Sequence, residues 1–196
     1  MRDTVALMSA ASPSGTPSDF SPRRATVRFM FAHPAHLIAL GFGSGLPRRA
    51  PGTIGTLWAW AAYLVMHLWL SSTTIGWVIL ASLPIGWWAC TVTARHMNVA
   101  DPGNVVWDEV VAFWIILWLV MPAGLPMQIL AFALFRLFDA VKRGPVGWAD
   151  QLFKQKDATP ETMRWHRAGF GIIFDDLVAA FCTLLVIAAV SALGAW

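Results

Sequence analysis

Two stretches of this chain, Thr53 to Leu70 and Ile75 to Ala94, run without a single Lys, Arg, Asp or Glu and are parted only by Ser71 to Thr74. Each is close to the roughly 20 apolar residues an α-helix needs to cross the hydrocarbon core of a bilayer. A lipid-exposed segment must satisfy its own backbone N–H and C=O groups, so both are expected to be membrane helices joined by a tight turn. Further apolar segments follow. Val105 to Met121 carries Asp108 and Glu109 only in its first turn, and Pro122 to Pro126 closes a second tight turn. Met127 to Val141 is short and gains charge only at Arg136 and Asp139, while a last segment, from about Ile172 to Trp196, has Asp175 and Asp176 in its first turn. The expected fold is all-α: a polytopic membrane helical bundle of four to five membrane helices, with short cytoplasmic or interfacial helices beside them.

Composition agrees, because 57% of the 196 residues are hydrophobic and only 13% charged, whereas a soluble domain carries about a quarter charged residues. The net charge of +3 is small and its basic residues flank apolar spans, so no nucleic-acid surface is expected. Residues 1–27, rich in Ser and Pro, hold no apolar run long enough for a signal peptide and are expected to form a disordered leader to a single domain over 28–196. Cys90 and Cys182 both lie inside apolar runs, which implies burial rather than a disulfide framework.

Alternating the spans brings the leader, the Arg95 to Asn104 loop and the Lys142 to Gly171 loop to one side. All 14 Lys/Arg and 11 Asp/Glu residues then fall on that side or in the helix turn adjoining it. The positive-inside rule makes it the cytoplasmic side. Trp69 and Trp77 flank the outer turn, as in an interfacial belt, and other tryptophans are equally well explained by helix packing. Within residues 144–170, Trp148, Leu152 and Phe153 could share one face of a membrane-surface helix or belong to a solvated loop, and Thr159-Pro160-Glu161 has the look of a helix start.

Three acidic groupings, Asp108 with Glu109, Asp139 near Arg136, and Asp175 with Asp176, fall at the inner ends of different helices. A charge at the bilayer centre costs about 2.5 to 3.5 kcal/mol, so these groups are expected at the interface with partners. Arg136 and Asp139 share a helix face, and an ion pair closing the helix end accounts for them. Adjacent acids repel unless a cation or proton intervenes, although a first-turn position beside the positive end of the helix dipole also favours them. Acids from three helices on one face could surround a hard divalent cation such as Mg²⁺. The loop Gly41 to Thr56 adds glycines, Arg48, Arg49 and a Thr53 that could cap a helix aimed at an anion. A flexible connection anchored by Arg48 and Arg49 explains that loop equally well. The five histidines lack zinc-ligand spacing and are read as structural.

Taken together, Gly41-x-Gly-x-Gly-Leu with Ala50-Pro-Gly-Thr-x-Gly-Thr56, Asp101-Pro-Gly-x-Val-Val-Trp-Asp-Glu-Val110, Phe135-Arg-x-Phe-Asp139 and Gly169-x-Gly-Ile-Ile-x-Asp-Asp176 resemble the phosphatidylglycerophosphatase A family, in its order and over about residues 33–190. The segment from Asp150 to Gly169 is longer than is usual in that family, and Ile173 stands where Met is common. The resemblance implies an all-helical enzyme of the bacterial inner membrane. It implies Mg²⁺-dependent removal of the terminal phosphate of phosphatidylglycerophosphate, giving phosphatidylglycerol. On this reading Asp108, Glu109, Asp139, Asp175 and Asp176 hold the metal or orient its waters. Arg136 and Lys142, with Arg48, Arg49 and Thr53, receive the phosphate, and the active site faces the cytoplasm. Direct attack by water and a covalent aspartyl-phosphate both remain open. A phosphotransferase acting on CDP-linked alcohols would need an Asp-Gly pair followed by Ala-Arg, which is absent, and a small transporter would show internal repeats and broken midplane helices.

Overall fold

Proline sets the start of four helices, standing in the first two positions of α2 (Pro34–Ala39), α3 (Pro51–Trp69), α6 (Leu125–Val141) and α7 (Pro145–Leu152). Its fixed φ suits the first turn, and the N–H it lacks would find no partner there. The others are α1 (Val27–Phe31), α4 (Ser72–Met97), α5 (Trp107–Val120) and α8 (Trp165–Ala192), in a computed structural model that describes residues 21–155 and 158–193. No strand occurs among the described residues. Ser71 caps α4 by accepting a hydrogen bond from Thr74 N at 3.1 Å, and Asn98 ends it in the left-handed region at φ 55°.

The axis of the bundle is α5. Its residues Glu109 to Trp114, Ile116 and Leu117 are buried, and α3, α4, α6 and α8 all pack on it. Small residues let these neighbours approach. A Cβ on Gly86 of α4 would overlap the Trp107 indole, and one on Gly55 of α3 would come within 2.7 Å of Val106 Cβ. Buried and half-buried indoles find acceptors: Trp114 Nε1 donates to Ala59 O at 2.9 Å, Trp60 Nε1 to Gln128 Oε1 at 2.7 Å and Trp107 Nε1 to Ser82 O at 3.3 Å. These tryptophans serve packing. The outer helices leave large apolar side chains uncovered, among them Leu68 and Trp69 on α3, Trp77 and Leu80 on α4, Ile129 on α6 and Phe181 on α8.

Among the described residues two helices, α4 and α8, are long and apolar enough to cross a membrane. That is fewer than the four to five expected. With 14 residues α5 rises only about 21 Å, and with 17 α6 about 25 Å, against a hydrocarbon core of about 30 Å. The 19 residues of α3 include Gly52, Gly55, Tyr63 and His67.

Other boundaries also differ. Because α8 begins at Trp165 rather than near Ile172, Asp175 and Asp176 lie about three turns inside it and not in its first turn. The helix dipole therefore gives no account of them, since it acts only within the terminal turns. No helix starts at Thr159, where the Thr162 N–H returns to Thr159 O in a turn. Phe153 does not share the exposed face of Trp148 and Leu152, but turns inward against Phe170 and Phe174. Of the leader expected over 1–27, residues 1–20 lie outside the described residues, and Arg23 N donates to Met97 O at 3.0 Å. Two neighbouring histidines meet a distant one here: His36 donates from Nδ1 to Phe29 O and pairs through Nε2 with His96 Nδ1, both at 2.8 Å, with His33 alongside. The pair ties α2 to the end of α4.

Candidate active site

The loop before α5 is tethered at its last residues. Val105 N donates to Pro102 O at 2.8 Å and Val106 N to Ala39 O at 2.9 Å, which sets where the first turn of α5 delivers Asp108 and Glu109. Opposite them α8 presents Asp176. One carboxylate oxygen from each of Asp108, Glu109 and Asp176 lies within 4.8 Å of the other two; Glu109 and Asp176 are buried, and Asp108 is half-buried with its Oδ1 withdrawn from solvent. Asp108 Oδ1, Glu109 Oε2 and Asp176 Oδ2 accept from no donor among the described residues. Buried acceptors left unpaired, in like-charged company, are costly unless a cation or protons share the space. An all-oxygen donor set suits a hard cation such as Mg²⁺. The residues present therefore fit a divalent metal.

Arg136 and Asp139, near the end of α6, close one side. Arg136 Nη1 bridges Asp139 Oδ2 at 2.8 Å and Glu109 Oε1 at 3.6 Å, and donates to Thr56 Oγ1 at 3.4 Å. The expected ion pair with Asp139 is thus present, yet Arg136 also holds an acid of the central group. Its Nε is buried without a partner among the described residues. Thr56 donates in turn to Gly52 O at 2.9 Å, which brings the first turn of α3 against the same cluster.

Neighbouring residues on a helix point about 100° apart, so Asp175 and Asp176 cannot face one ion equally. Asp175 Oδ2 accepts from Lys142 Nζ at 2.6 Å, and the same ammonium donates to Asp150 Oδ1 on α7 at 3.0 Å. Asp150 also accepts from Lys154. Burial opposes the charged form of Lys142, but the carboxylates of Asp175 and Asp150 outweigh it and raise the pKa above the usual lysine range. Burial also opposes ionised Asp150, and hydrogen bonds from Lys154 and Lys142 more than reverse it, holding the carboxyl below the usual range.

The structure thus gathers Asp108, Glu109 and Asp176 with Asp139 and Arg136, and sets Asp175 with Lys142 beside them. Arg48 and Arg49 lie exposed on the loop before α3, Arg48 lining a groove with Arg23, Arg24 and Asp101. Thr53 is not a helix cap: Ala50, at φ 48°, holds that position, and Thr53 lies inside the first turn. Sequence reasoning passed over Asp150, Thr56, Gly52 and Asp101. Asp101 lines a cleft of about 240 Å³ with Asp150, Phe153, Lys154, Met163 and Asp175. The Asp101-Pro-Gly and Ala50-Pro-Gly-Thr blocks signal three of the four, whereas Asp150 lies in no quoted block.

Fold and site together define an all-helical protein with a buried acidic cluster that could hold a metal ion. The family model described as Phosphatidylglycerophosphatase A matches residues 37–191, and the chain belongs to that family. It is 34% identical over 157 residues to the Escherichia coli phosphatidylglycerophosphatase A, covering 78% of this chain and 80% of that one. It is 36% identical over 159 residues to the Haemophilus influenzae protein of the same name, covering 81% and 89%. A Bacteroides thetaiotaomicron protein named putative phosphatidylinositol-3-phosphatase is 34% identical over 158 residues, covering 78% and 90%. No solved structure matches the chain.

Proposed function

We propose that this protein is a Mg²⁺-dependent lipid phosphatase that hydrolyses the terminal phosphomonoester of phosphatidylglycerophosphate to phosphatidylglycerol and phosphate. The observation that carries the reading is the group of unpaired carboxylate oxygens from Asp108, Glu109 and Asp176 beside Arg136, within the residues that the phosphatase family model matches. These three acids would hold the metal. When bound, Mg²⁺ supplies Lewis-acid polarisation of the phosphoryl group and a more acidic water. Arg136 offers its unpaired Nε to a phosphoryl oxygen, while its Nη1 keeps Asp139 and Glu109 in place. Lys142 adds a second cation beside Asp175, so charge developing on the phosphoryl group meets donors already in position. Arg48, Arg49 and the first turn of α3 near Thr53 form the outer approach for the headgroup.

The uncovered apolar side chains of α3, α4, α6 and α8 support a bilayer setting for the whole bundle, with α3, α5 and α6 embedded beside the two long helices. The bias of Lys and Arg toward the site end supports a cytoplasmic active site at the bacterial inner membrane. Residues 28–196 then act as one membrane-embedded domain behind a leader.

Phosphate release by the purified chain in mixed detergent–lipid micelles tests the reading. Release from phosphatidylglycerophosphate with Mg²⁺ is expected to stop on chelation, return on re-addition and fall at least 100-fold in Asp176→Asn. Undiminished release in chelator defeats the metal assignment. A clear preference for phosphatidylinositol-3-phosphate would transfer the substrate assignment to the activity named for the Bacteroides relative.

A further inference from the structure

Lysine carries a point charge on a flexible four-carbon stem with three rotatable donors, so one carboxylate fixes its distance but not its direction. Lys142 follows the last residue of α6 in the left-handed region at φ 43°, and its ammonium is held by two acids: Asp175 at 2.6 Å and Asp150 at 3.0 Å. Both acids are largely withdrawn from solvent, with side chains 7% and 11% exposed. The other oxygen of Asp150 is taken by Lys154, one helical turn further along, so its carboxylate is clamped from both sides.

The seat of α7 is built for this contact. Val146 and Ala149 bury its inner face, and a Cβ on Gly147 would overlap the carbonyl oxygen of Lys142 itself. Just past its end, Phe153 packs on Gly171 of α8, where a Cβ would come within 2.7 Å of Phe153 Cβ. Glycine at both places permits the backbone approach. The helix that carries Asp150 is therefore fitted to both sides of the Lys142–Asp175 pair.

We propose that Asp150 is a positioning residue, and that α7 is a strap whose task is to aim the Lys142 ammonium at the phosphoryl site beside Asp175. The catalytic half of this statement rests on the phosphatase reading; the aiming of Lys142 does not. Displacing a reacting group by about 1 Å can cost on the order of 100-fold in rate, and release of one of two anchors permits a shift of that size.

Two measurements on the full chain in detergent–lipid micelles decide it. Acetylation of Lys142 by an amine-reactive reagent, followed by mass spectrometry, is expected to speed up at least fivefold in Asp150→Asn. In phosphate release, Asp150→Asn is expected to lower kcat about 10- to 100-fold with KM within about twofold. The same substitution on a Lys142→Met background is expected to change kcat by less than about twofold, since a residue that acts through Lys142 has nothing left to position. Unchanged labelling of Lys142, an unchanged kcat, an equal fall on both backgrounds or a collapsed unfolding midpoint each overturns the proposal. A wild-type chain that releases no phosphate but shows the labelling change sinks the phosphatase reading and leaves the aiming role intact.

Discussion

Replacing Gly52 by alanine should separate activity from stability. A Cβ there would overlap Glu109 Oε1 and stand 3.0 Å and 3.2 Å from the two terminal nitrogens of Arg136. All three atoms end flexible side chains, so they can swing aside without moving α3 or α5. Overpacking costs about 1–3 kcal/mol where the surroundings must yield, and here alanine recovers up to about 1 kcal/mol in helix propensity over glycine. The net loss of stability should stay under about 2 kcal/mol. The effect on chemistry is larger: Glu109 must retreat by more than about 1 Å to reach ordinary van der Waals separation, and an error of about 1 Å in a reacting centre already costs on the order of 100-fold in rate. The assay pairs kcat for phosphate release with the unfolding midpoint in the same detergent. The matched control is Gly103→Ala, where a Cβ meets nothing within 4 Å, and neither quantity should move. A Gly52→Ala protein turning over at the wild-type rate would refute the claim that Glu109, placed as it is, serves the reaction.

Arg136→Met leaves Asp139 and Glu109 without their shared cation, and loss of one partner from a buried pair costs about 3 kcal/mol or more. A midpoint unchanged in denaturant titration would show that the acids do not depend on it. The Asp150–Lys142 contact of α7 should be insensitive to pH across about pH 7 to 9, because neither partner changes charge there. Asp150, depressed on folding, contributes above the ordinary carboxylate value of about 3.9 and loses that contribution only as pH falls through its lower folded value. Lys142, raised on folding, contributes below about 10.4 and loses that contribution only as pH rises through its higher folded value. Amide exchange in α7, corrected for intrinsic rates, should therefore be flat over that range, and an opening within it would count against the ion-pair assignment.

The order of the long helices, the turns at Ser71 and around Pro122 to Pro126, and the meeting of acids from different helices were legible in the sequence. Each depends on local pattern: charge-free length, turn residues and the side of a span on which a charge falls. The start of α8 was not, because His166 and Arg167 in its first turn read as loop when hydropathy is the guide. The short helix α7 was visible as a tendency, and its contact with Lys142 was not.

Within the site, the chain by itself named the acids, since paired carboxylates at the ends of apolar segments need some partner. Tertiary structure alone decided that Asp176 turns to Asp108 and Glu109 while Asp175 turns to Lys142. Two adjacent residues are equivalent in any pattern along the chain, and the rotation of α8 about its axis, fixed by its packing on α4 and α5, tells them apart. The same holds for Gly52: the sequence offers a glycine in a loop-like block, and only the close approach of α3 to Glu109 and Arg136 makes its missing side chain part of the site.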